Sequence, residues 1–423
     1  MRLNYIEDLR WRGLIKEQVA GLEAHLNQKK TRAYIGFDPT ADSLHAGNLL
    51  TIMLLVHFQA AGHQPIVLVG GATGRIGDPS GKTQERKLIS EVELQENIVA
   101  IKKQLSSFLD FNHPENPAIL VDNYEWTKTV SFLDFIRDIG KYLTVNYMMA
   151  KDSVKNRLAS EQGISFTEFS YQLLQAFDFY HLFTNFNCEL QMGGSDQWGN
   201  ITSGIELIAK KTGQKAFGLV APLLTKSDGT KFGKSESGAI WLDPSKTSPY
   251  LFYQFWLNAS DEDAEKWIKI FTLLSKTEIE KIIADHLQKP EQRLLQKTLA
   301  SDLTIRVHGE NALKIAQQAS EILFGQGTLT HLENLDEKTF LDVFEGVETT
   351  KISSAPLNLT EAFVNSGFLT SNSELKRELK AGSLSINKTK IEENFVFEEK
   401  TWIQQKYILL QKGKKKYHIL QKV

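Results

Sequence analysis

The stretch that decides the fold is YIGFDPTADSLHAGN, residues 34–48, which is followed by the apolar run LLTIMLLV at 49–56. Its apolar start predicts a short strand, the Asp-Pro pair ends that strand, and the run at 49–56 predicts a buried helix. Gly47 falls in the first turn, where the missing side chain lets a flat ligand approach the backbone. The free N–H groups and dipole at a helix start favour phosphate. His45 and Asn48 can face the same ligand, although the pair taken alone is more simply a helix cap.

Strand-like and helix-like segments alternate beyond this unit. We predict an amphipathic helix at 5–27 ahead of the first strand, apolar strands at 65–69, 118–121, 187–192 and 216–224, and helices at about 90–109, 129–142, 164–184 and 196–212. This alternation predicts an α/β fold, a Rossmann-like doubly wound parallel sheet. We assign residues 1–247 to this domain.

The character of the sequence changes near residue 248. Residues 248–324 are predicted to form an α-helical domain, because they are rich in aromatic residues and charged helix faces and show no clear strand. The polar stretch 325–352 has little periodicity and is interpreted as a linker. Residues 353–423 combine a short helix with alternating strands and are predicted to form a small α+β domain.

Composition limits the class of protein. The chain has 423 residues, 41% hydrophobic and 24% charged, which is typical of a soluble protein with two or three domains. No apolar run is long enough for a membrane span, and no signal-peptide core precedes the first strand, so we expect a cytoplasmic protein without a membrane partner. A single cysteine, Cys188, excludes an intrachain disulfide framework. The sequence contains no His-Glu-x-x-His motif, so we expect no protein-held metal. The net charge of −2 divides into +6 from residue 351 onward and −8 before it, so a polyanion would be met by the C-terminal segment.

The glycine-rich loop at 70–83 is similar to two known kinds of nucleotide-binding loop. GDPSGKT at 77–83 is similar to a Walker loop, but its first glycine is one residue too close. GATGRIG at 71–77 follows an apolar strand and is similar to a dinucleotide-binding fingerprint. That fingerprint normally follows the first strand of its fold, whereas here a strand–helix unit precedes it. Taken alone, the sequence of this loop does not exclude an NAD(P)-binding site.

A polar stripe is predicted on the helix at 164–184. Tyr171, Gln175 and Asp178 have the spacing i, i+4 and i+7 and therefore share one helix face, among apolar residues and few charges. An exposed stripe would usually carry Lys or Glu here, so we interpret this one as the polar wall of a pocket. The segment 191–200, QMGGSDQWGN, runs from a strand end into a helix start, where open α/β sheets bind ligands. Capping by Ser195 or Asp196 is the simpler alternative.

The segments 45–48 and 231–235 together resemble the two ATP signatures of class I aminoacyl-tRNA synthetases, and the residues between them resemble those of tyrosyl-tRNA synthetases. This resemblance covers nearly the whole chain, with four spaced motifs in order. The commoner first signature ends in a second His, where this chain has Asn48. Asn keeps a side-chain N–H donor of similar reach, so the ATP contact can survive.

The resemblance implies a role for each candidate residue. The tyrosine-binding residues would be those that meet the ammonium group or the phenol hydroxyl, or that line the subsite: Tyr34, Asp78, Tyr171, Gln175, Asp178, Gln191 and Gln197. The ATP-binding residues would be those near the ribose and phosphates: Gly36, Asp38, Gly47, Gly194, Asp196 and Lys234. The catalytic residues would be those that stabilise the triphosphate and leaving pyrophosphate: His45, Asn48, Thr40, Lys82, Arg86, Lys231, Lys234 and Ser235.

The C-terminal segment resembles the S4 RNA-binding domain of bacterial-type tyrosyl-tRNA synthetases. Residues 373–387 match its helix, glycine turn and strand, and Lys376, Arg377 and Lys380 would meet phosphates. A solvated basic tail is the alternative. By the same resemblance, the helical domain at 248–324 would contact the anticodon arm.

The resemblance implies a tyrosine–tRNA ligase reaction that needs no enzyme nucleophile. Tyrosine would attack the α-phosphate of ATP, which enters as its Mg²⁺ complex, and the tyrosyl group would then pass to the 3′-terminal adenosine of tRNA(Tyr). The family also implies a homodimer. The alternatives are a tryptophanyl-tRNA synthetase, disfavoured by Tyr34 and Asp178, an NAD(P)-dependent oxidoreductase built on Gly71–Gly77, and an RNA-binding protein with an inactive synthetase fold.

Overall fold

A computed structural model of the chain describes residues 4–80, 89–159, 163–230, 232–235, 238–323, 328–353, 358–413 and 416–423. The chain divides into two compact units. The first comprises Met1–Asp243 and Asn258–Leu299, and the second comprises Pro244–Leu257 and Ala300–Val423. Among the residues in these ranges, every helix is too short or too polar to cross a membrane.

The strands and helices alternate through the first unit, and helices dominate the middle of the chain. The strands are β1 Glu17–Gln18, β2 Arg32–Phe37, β3 Gln64–Val69, β4 Ile119–Asp122, β5 Cys188–Gly194, β6 Phe217–Ala221, β7 Lys234–Ser235, β8 Gly238–Ala239, β9 Thr349–Ile352, β10 Leu384–Ile386, β11 Thr389–Lys390, β12 Tyr407–Lys412 and β13 Lys416–Lys422. The helices are α1 Tyr5–Arg12, α2 Leu22–Gln28, α3 Ala46–Ala60, α4 Glu91–Leu105, α5 Tyr124–Thr127, α6 Phe132–Asp138, α7 Val145–Met149, α8 Asp152–Leu158, α9 Phe166–Phe186, α10 Trp198–Thr212, α11 Pro249–Leu257, α12 Asp261–Phe271, α13 Lys276–Gln288, α14 Leu294–His308, α15 Glu310–Leu323, α16 Leu329–Glu333, α17 Glu337–Val343 and α18 Asn372–Lys380.

The first unit is built on a sheet with strand order β1-β6-β5-β2-β3-β4. Strands β2 to β6 are parallel, and the short β1 adds an antiparallel edge. The prediction of a parallel α/β sheet is therefore confirmed. In this order, the strand sequence reverses between β2 and β5, which pair directly. Ligands bind at the carboxyl ends of the strands at such a reversal, so the fold places a binding crevice beyond Phe37 and Gly194.

Helix α9 is held close to the sheet and to α10. Its start is fixed by a reciprocal cap in which the Ser165 hydroxyl accepts the Glu168 N–H and the Glu168 carboxylate accepts the Ser165 N–H. Gly204 on α10 allows the two helices to approach, because an added Cβ would lie 2.8 Å from the Phe179 ring. This packing fixes the position of the polar face of α9 relative to α10.

Local structure differs from the sequence-based predictions in two places. Residues 5–27 form two helices instead of one, because Gly13 and Gly21 adopt positive φ angles of 76° and 87° and β1 lies between the helices. The stretch predicted as a linker contains α16 and α17, and Leu332 and Phe340 within them are fully buried. These two short helices are separated by a break, so their apolar residues have no single period in the sequence.

The second unit contains a five-stranded sheet of order β11-β10-β12-β13-β9. Its strands are antiparallel except that β13 and β9 are parallel. Because β9 spans 349–352, the sheet begins ahead of the predicted boundary at 353. Buried residues of the strands, of α18 and of the preceding helical turn at Glu361–Asn365 form one apolar core. The division of the chain into domains at 247, 324 and 352 stays a prediction.

Candidate active site

A cavity of about 640 Å³ lies at the carboxyl ends of β2 and β5. It lies where the sheet topology places a binding crevice. Candidate residues from distant parts of the sequence meet there, and the lining includes Tyr34, Gly36, Asp38, Thr40, His45, Gly47, Asn48, Asp78, Tyr171, Gln175, Asp178, Gln191, Gly194, Asp196 and Gln197. Lys82, Arg86 and Lys231 lie outside the described residues, as do the side chains of Lys234 and Ser235.

One end of the cavity contains a buried carboxylate with two N–H donors. Asp178 is 3% exposed; one of its oxygens accepts the Trp126 indole N–H at 2.8 Å, and the other accepts the Asn123 amide at 2.8 Å. Burial raises the pKa of Asp178 to about 7, and the two hydrogen bonds oppose that rise. Each carboxylate oxygen has a second lone pair, so Asp178 can accept a further hydrogen bond from a ligand.

Two buried polar groups line the same cavity without a hydrogen-bond partner within the described ranges. These are the Tyr34 hydroxyl and the side-chain carbonyl of Gln191. Burial and the nearby Asp178 raise the pKa of Tyr34 well above its usual value, so its hydroxyl stays neutral and can donate. An unpaired buried polar group is costly, so its position at a cavity indicates a ligand that supplies the missing partner.

The Asp178 carboxylate is joined to a second one through a chain of hydrogen bonds. Asn123 donates to the Thr73 hydroxyl at 3.0 Å, and Thr73 donates to Asp38 at 2.7 Å. The Tyr171 hydroxyl donates to the other oxygen of Asp38 at 2.8 Å. Asp38, which is predicted to bind ATP, therefore contacts Tyr171, which is predicted to bind tyrosine.

A third carboxylate, Asp78, lines the cavity within a cluster of amide side chains. The Gln197 amide donates to Asp78 at 2.7 Å, and Gln175 donates to Gln197 at 3.2 Å. Asn200 donates to Gln175 at 3.0 Å. With Asp196, four carboxylates therefore line one cavity, which favours a ligand that carries a cation such as an ammonium group.

The start of α3 also lines the cavity, through His45, Gly47 and Asn48. The His45 N–H donates to the Asn48 side-chain oxygen at 3.0 Å, so the amide nitrogen of Asn48 is the end that can donate to a ligand. An added Cβ at Gly194 would lie 2.6 Å from the Asp196 carboxylate, so the glycine leaves room for that side chain. At this helix start the Ala46 N–H donates to the Ile240 carbonyl at 2.7 Å and the Asn48 N–H to the His45 carbonyl at 2.8 Å, so it is the helix dipole that suits the site to phosphate.

The segment around Gly233 packs directly on this helix start. Gly233 has a φ of +79°, and an added Cβ would lie 2.7 Å from the Gly47 nitrogen. The neighbouring Phe232 is buried, with its ring 5.0 Å from that of Trp267 and 5.4 Å from that of Phe271. Both partner rings belong to α12. The two predicted ATP signatures are therefore in backbone contact, and an aromatic cluster fixes the second one.

Several residues at this site were missed by sequence reasoning. They are Thr73, Asn123, Trp126 and Asn200. Asn123 directly follows β4, so the rule that ligands bind beyond the carboxyl ends of strands could have identified it. Trp126 had no such signal, because its partner Asp178 is 52 positions away.

Comparison with known proteins assigns two stretches of the chain to known protein families. Residues 26–325 match the family described as tRNA synthetases class I (W and Y), and residues 339–420 match the tyrosine–tRNA ligase SYY-like C-terminal domain. The chain is 55% identical to the tyrosine–tRNA ligase of Flavobacterium johnsoniae, over 99% of this chain and 100% of that protein. It is 54% identical to that of Porphyromonas gingivalis, over 99% of each.

Solved structures agree with this assignment. The chain resembles a C-terminally truncated mitochondrial tyrosyl-tRNA synthetase of Aspergillus nidulans with a TM-score of 0.69 and 33% identity, over 76% of this chain and 95% of that one. The tryptophanyl-tRNA synthetase of Encephalitozoon cuniculi shares the fold at a TM-score of 0.52 and 14% identity, over 73% of this chain and 87% of that one.

The contact between Gly233 and Gly47 generates a prediction. In Gly233→Ala, trypsin should cleave the segment 226–240 several-fold faster than in the unmodified protein, because the added Cβ cannot fit against α3. Gly229→Ala is the matched control: Gly229 also has a positive φ, +81°, but an added Cβ meets nothing within 4 Å. This control should lower the free energy of unfolding by only about 1 kcal/mol, the cost of a positive φ for alanine. Equal cleavage rates in the two variants would contradict the packing described here.

Proposed function

The chain belongs to the class I tyrosine–tRNA ligases, and we propose that the cavity at β2 and β5 binds tyrosine and ATP end to end for the first step of that reaction. As a member of this family, the protein activates L-tyrosine with ATP and transfers it to tRNA. The oxidoreductase alternative is wrong, since residues 71–77 fall within the matched synthetase domain. The tryptophanyl alternative is disfavoured by relatives that align over the full chain and are tyrosine–tRNA ligases.

The proposed tyrosine site rests on one observation: Tyr34 and Asp178 each have unused hydrogen-bonding capacity at the same buried end of the cavity. A bound phenol hydroxyl would donate to Asp178 and accept from Tyr34. Phenylalanine would fill the same space and leave both groups unpaired, which costs more than a matched hydrogen bond gains. This asymmetry selects tyrosine without a second, editing site.

The other functional groups of tyrosine fit the remaining cavity. Its ammonium group would lie among the Asp78 carboxylate, the Tyr171 hydroxyl and the Gln175 amide, which supports the roles predicted from the sequence. Gln191 and Gln197 would complete the subsite. The amino-acid carboxylate then points toward the start of α3, where the ATP phosphates are proposed to bind.

The ATP site is proposed in the part of the cavity that is lined by the start of α3 and by Asp196. Asp196 would bind the ribose, and Gly36, Asp38, Gly47 and Gly194 would allow close approach of the nucleotide. The phosphates would meet His45, Asn48 and Thr40 together with Lys82, Arg86, Lys231, Lys234 and Ser235. ATP is proposed to enter as its Mg²⁺ complex, with the ion belonging to the substrate.

The proposed chemistry is an in-line displacement. The tyrosine carboxylate oxygen forms a bond to the α-phosphorus, the bond from that phosphorus to the bridging oxygen breaks, and pyrophosphate leaves. In the second step, a ribose hydroxyl of the terminal adenosine attacks the acyl carbon and AMP leaves. The protein contributes orientation and neutralises charge on the departing phosphates.

The tRNA interface is proposed on α18. Lys376, Arg377 and Lys380 are exposed there, on a C-terminal segment that carries +6 net charge. Lys412, at the end of β12, pairs with Glu374 of this helix at 2.7 Å and with Glu378 at 3.2 Å, which offsets two of its acidic side chains. The α-helical region at 248–324 is proposed to meet the anticodon arm.

We also propose a cytoplasmic homodimer. Four consecutive helices of the first unit, α6 to α9, carry large apolar side chains that are exposed in the single chain. They include Phe132 at 66%, Leu133 at 77%, Val145 at 59% and Phe166 at 69%. Burial of these side chains between two copies would remove a substantial apolar area from water.

The tyrosine site is tested by Asp178→Asn in tyrosine-dependent ATP–pyrophosphate exchange. We expect kcat/KM for tyrosine to fall about 10- to 150-fold, the equivalent of losing one charge-assisted hydrogen bond of about 1.5–3 kcal/mol. Activity with phenylalanine and KM for ATP should change little. In the unmodified enzyme, kcat/KM for tyrosine should decrease as the pH falls below about 7, where Asp178 becomes protonated, and this limb should be absent in the variant. Unchanged discrimination between the two amino acids would remove Asp178 from the site.

The RNA interface is tested by replacing Lys376, Arg377 and Lys380 together with alanine. We expect weaker tRNA binding with a smaller salt dependence, by up to about 0.7–0.9 in slope per lost phosphate contact, and an unchanged rate of pyrophosphate exchange. Lys400→Ala, also a loss of an exposed C-terminal lysine, is the control. Full tRNA affinity in the triple variant would refute this interface.

The dimer interface is tested by Leu133→Glu and light scattering. A buried charge at a contact between copies should convert a dimer to a monomer. Leu287→Glu, at a side chain 72% exposed on α13, should leave the mass unchanged. A monomeric unmodified protein, or a Leu133→Glu dimer as stable as the unmodified one, would contradict the proposal.

A further inference from the structure

The two N–H donors of Asp178 are fixed to very different degrees. Asn123 is fully buried, and its amide is also held by the Ala72 N–H at 2.6 Å and by the Thr73 hydroxyl at 3.0 Å. Three hydrogen bonds therefore determine its orientation. Trp126 is only half-buried, and its indole N–H makes the single bond to Asp178. Something other than hydrogen bonding must hold the plane of this ring.

Trp126 packs against the apolar core that includes Tyr34 and Phe179, and the ring of His181 covers its face. The imidazole is stacked on the Trp126 indole with a centroid distance of 4.4 Å and an angle of 11° between the planes. His181 is three residues after Asp178 on α9, so the two side chains lie on the same face of the helix. One helix thus contacts Trp126 twice, through the carboxylate at its N–H and through the imidazole at its face.

The surroundings of His181 hold the imidazole in place as an uncharged ring. Phe177 and Phe186 lie against it with centroid distances of 6.3 and 6.2 Å. Partial burial lowers the pKa of His181, so at neutral pH it packs as a neutral aromatic ring. The Asn185 amide nitrogen lies 3.4 Å from its Nδ1 and donates to its backbone carbonyl at 3.0 Å.

We propose that His181 is a positioning residue for tyrosine selectivity: it holds the Trp126 indole in the orientation that donates to Asp178. This inference rests on the proposed tyrosine site. His181 contacts neither substrate in it. Without the stacked ring, Trp126 can rotate, and Asp178 loses one of the two donors that stabilise its charged form. The carboxylate would then be protonated over a wider pH range and would accept the phenol hydroxyl less well.

The pH dependence of this effect depends on the groups that face Asp178. Within the described ranges these are the acidic side chains of Asp38 and Asp122, which raise its pKa further, and the hydroxyls of Tyr34 and Tyr171. None of them is contacted by His181 in the hydrogen bonds and ring contacts found there. A change at His181 should therefore reach Asp178 only through Trp126.

The experiment compares His181→Ala, His181→Phe, Trp126→Phe and the double variant Trp126→Phe/His181→Ala in tyrosine-dependent pyrophosphate exchange. For His181→Ala we expect KM for tyrosine to rise about three- to tenfold, consistent with the loss of one hydrogen bond. The selectivity for tyrosine over phenylalanine should fall by the same factor, while kcat and KM for ATP stay the same. The low-pH limb of kcat/KM for tyrosine should move to higher pH. His181→Phe keeps a flat ring on the indole and should restore values near those of the unmodified enzyme.

Two comparisons separate positioning from general damage. Thr184→Ala removes an exposed hydroxyl that donates to the Tyr180 and His181 carbonyls and accepts from the Asn185 amide; it leaves the stack of His181 on Trp126 in place and should change nothing. The double variant should be no worse than Trp126→Phe alone, because His181 acts through Trp126. If His181→Ala lowers the folding stability too far for assay, His181→Leu, which keeps the side chain's bulk without a flat ring, takes its place in the same comparisons with His181→Phe and with Trp126→Phe.

The proposal is overturned if His181→Ala keeps the tyrosine KM and selectivity of the unmodified enzyme, if its effect adds fully to that of Trp126→Phe, or if His181→Phe is as impaired as His181→Ala. Each of these results leaves the proposed tyrosine site intact. The proposed site itself fails in a different way, when the unmodified enzyme does not distinguish tyrosine from phenylalanine.

Discussion

The site is governed by the burial of carboxylates around one cavity. Asp178 is almost fully buried, and it is linked to Asp38 through Asn123 and Thr73. A buried carboxylate without donors is expensive, so these side chains must remain in fixed hydrogen-bonding positions. The same network leaves a place at Asp178 and one at Tyr34 for a single hydroxyl group. The preference for tyrosine thus follows from polar groups that the fold has already desolvated and aligned.

The topology of the sheet determines which residues can join this network. Strands β2 and β5 are adjacent in the sheet although their first residues, Arg32 and Cys188, are 156 positions apart, and the crevice beyond their ends collects side chains from both halves of the unit. Glycines complete the arrangement where backbones approach closely. Gly233 lets the second ATP signature contact the first at Gly47, and Gly194 leaves space for Asp196. At these two positions even a methyl group would meet other atoms.

Much of this arrangement could be predicted from the sequence because it is encoded locally. The apolar strands between helices predicted the parallel sheet, and the spacing of Tyr171, Gln175 and Asp178 predicted that they share one face of α9. The partners of Asp178 could not be predicted in this way. Asn123 and Trp126 belong to a four-residue helix and its cap, too short for periodicity, and they meet α9 only after the sheet has formed. The two short helices at 329–343 escaped detection for the same reason, since their apolar residues follow no single period.

The central claim is that a tyrosine hydroxyl completes the hydrogen bonding of Tyr34 and Asp178. The most direct test is a crystal structure of the protein with bound L-tyrosine. The account predicts the phenol oxygen within hydrogen-bonding distance of both the Tyr34 hydroxyl and an Asp178 oxygen, with Trp126 and Asn123 still bound to that carboxylate. A phenol ring that points away from this end of the cavity, or one that displaces Trp126 from Asp178, would contradict it.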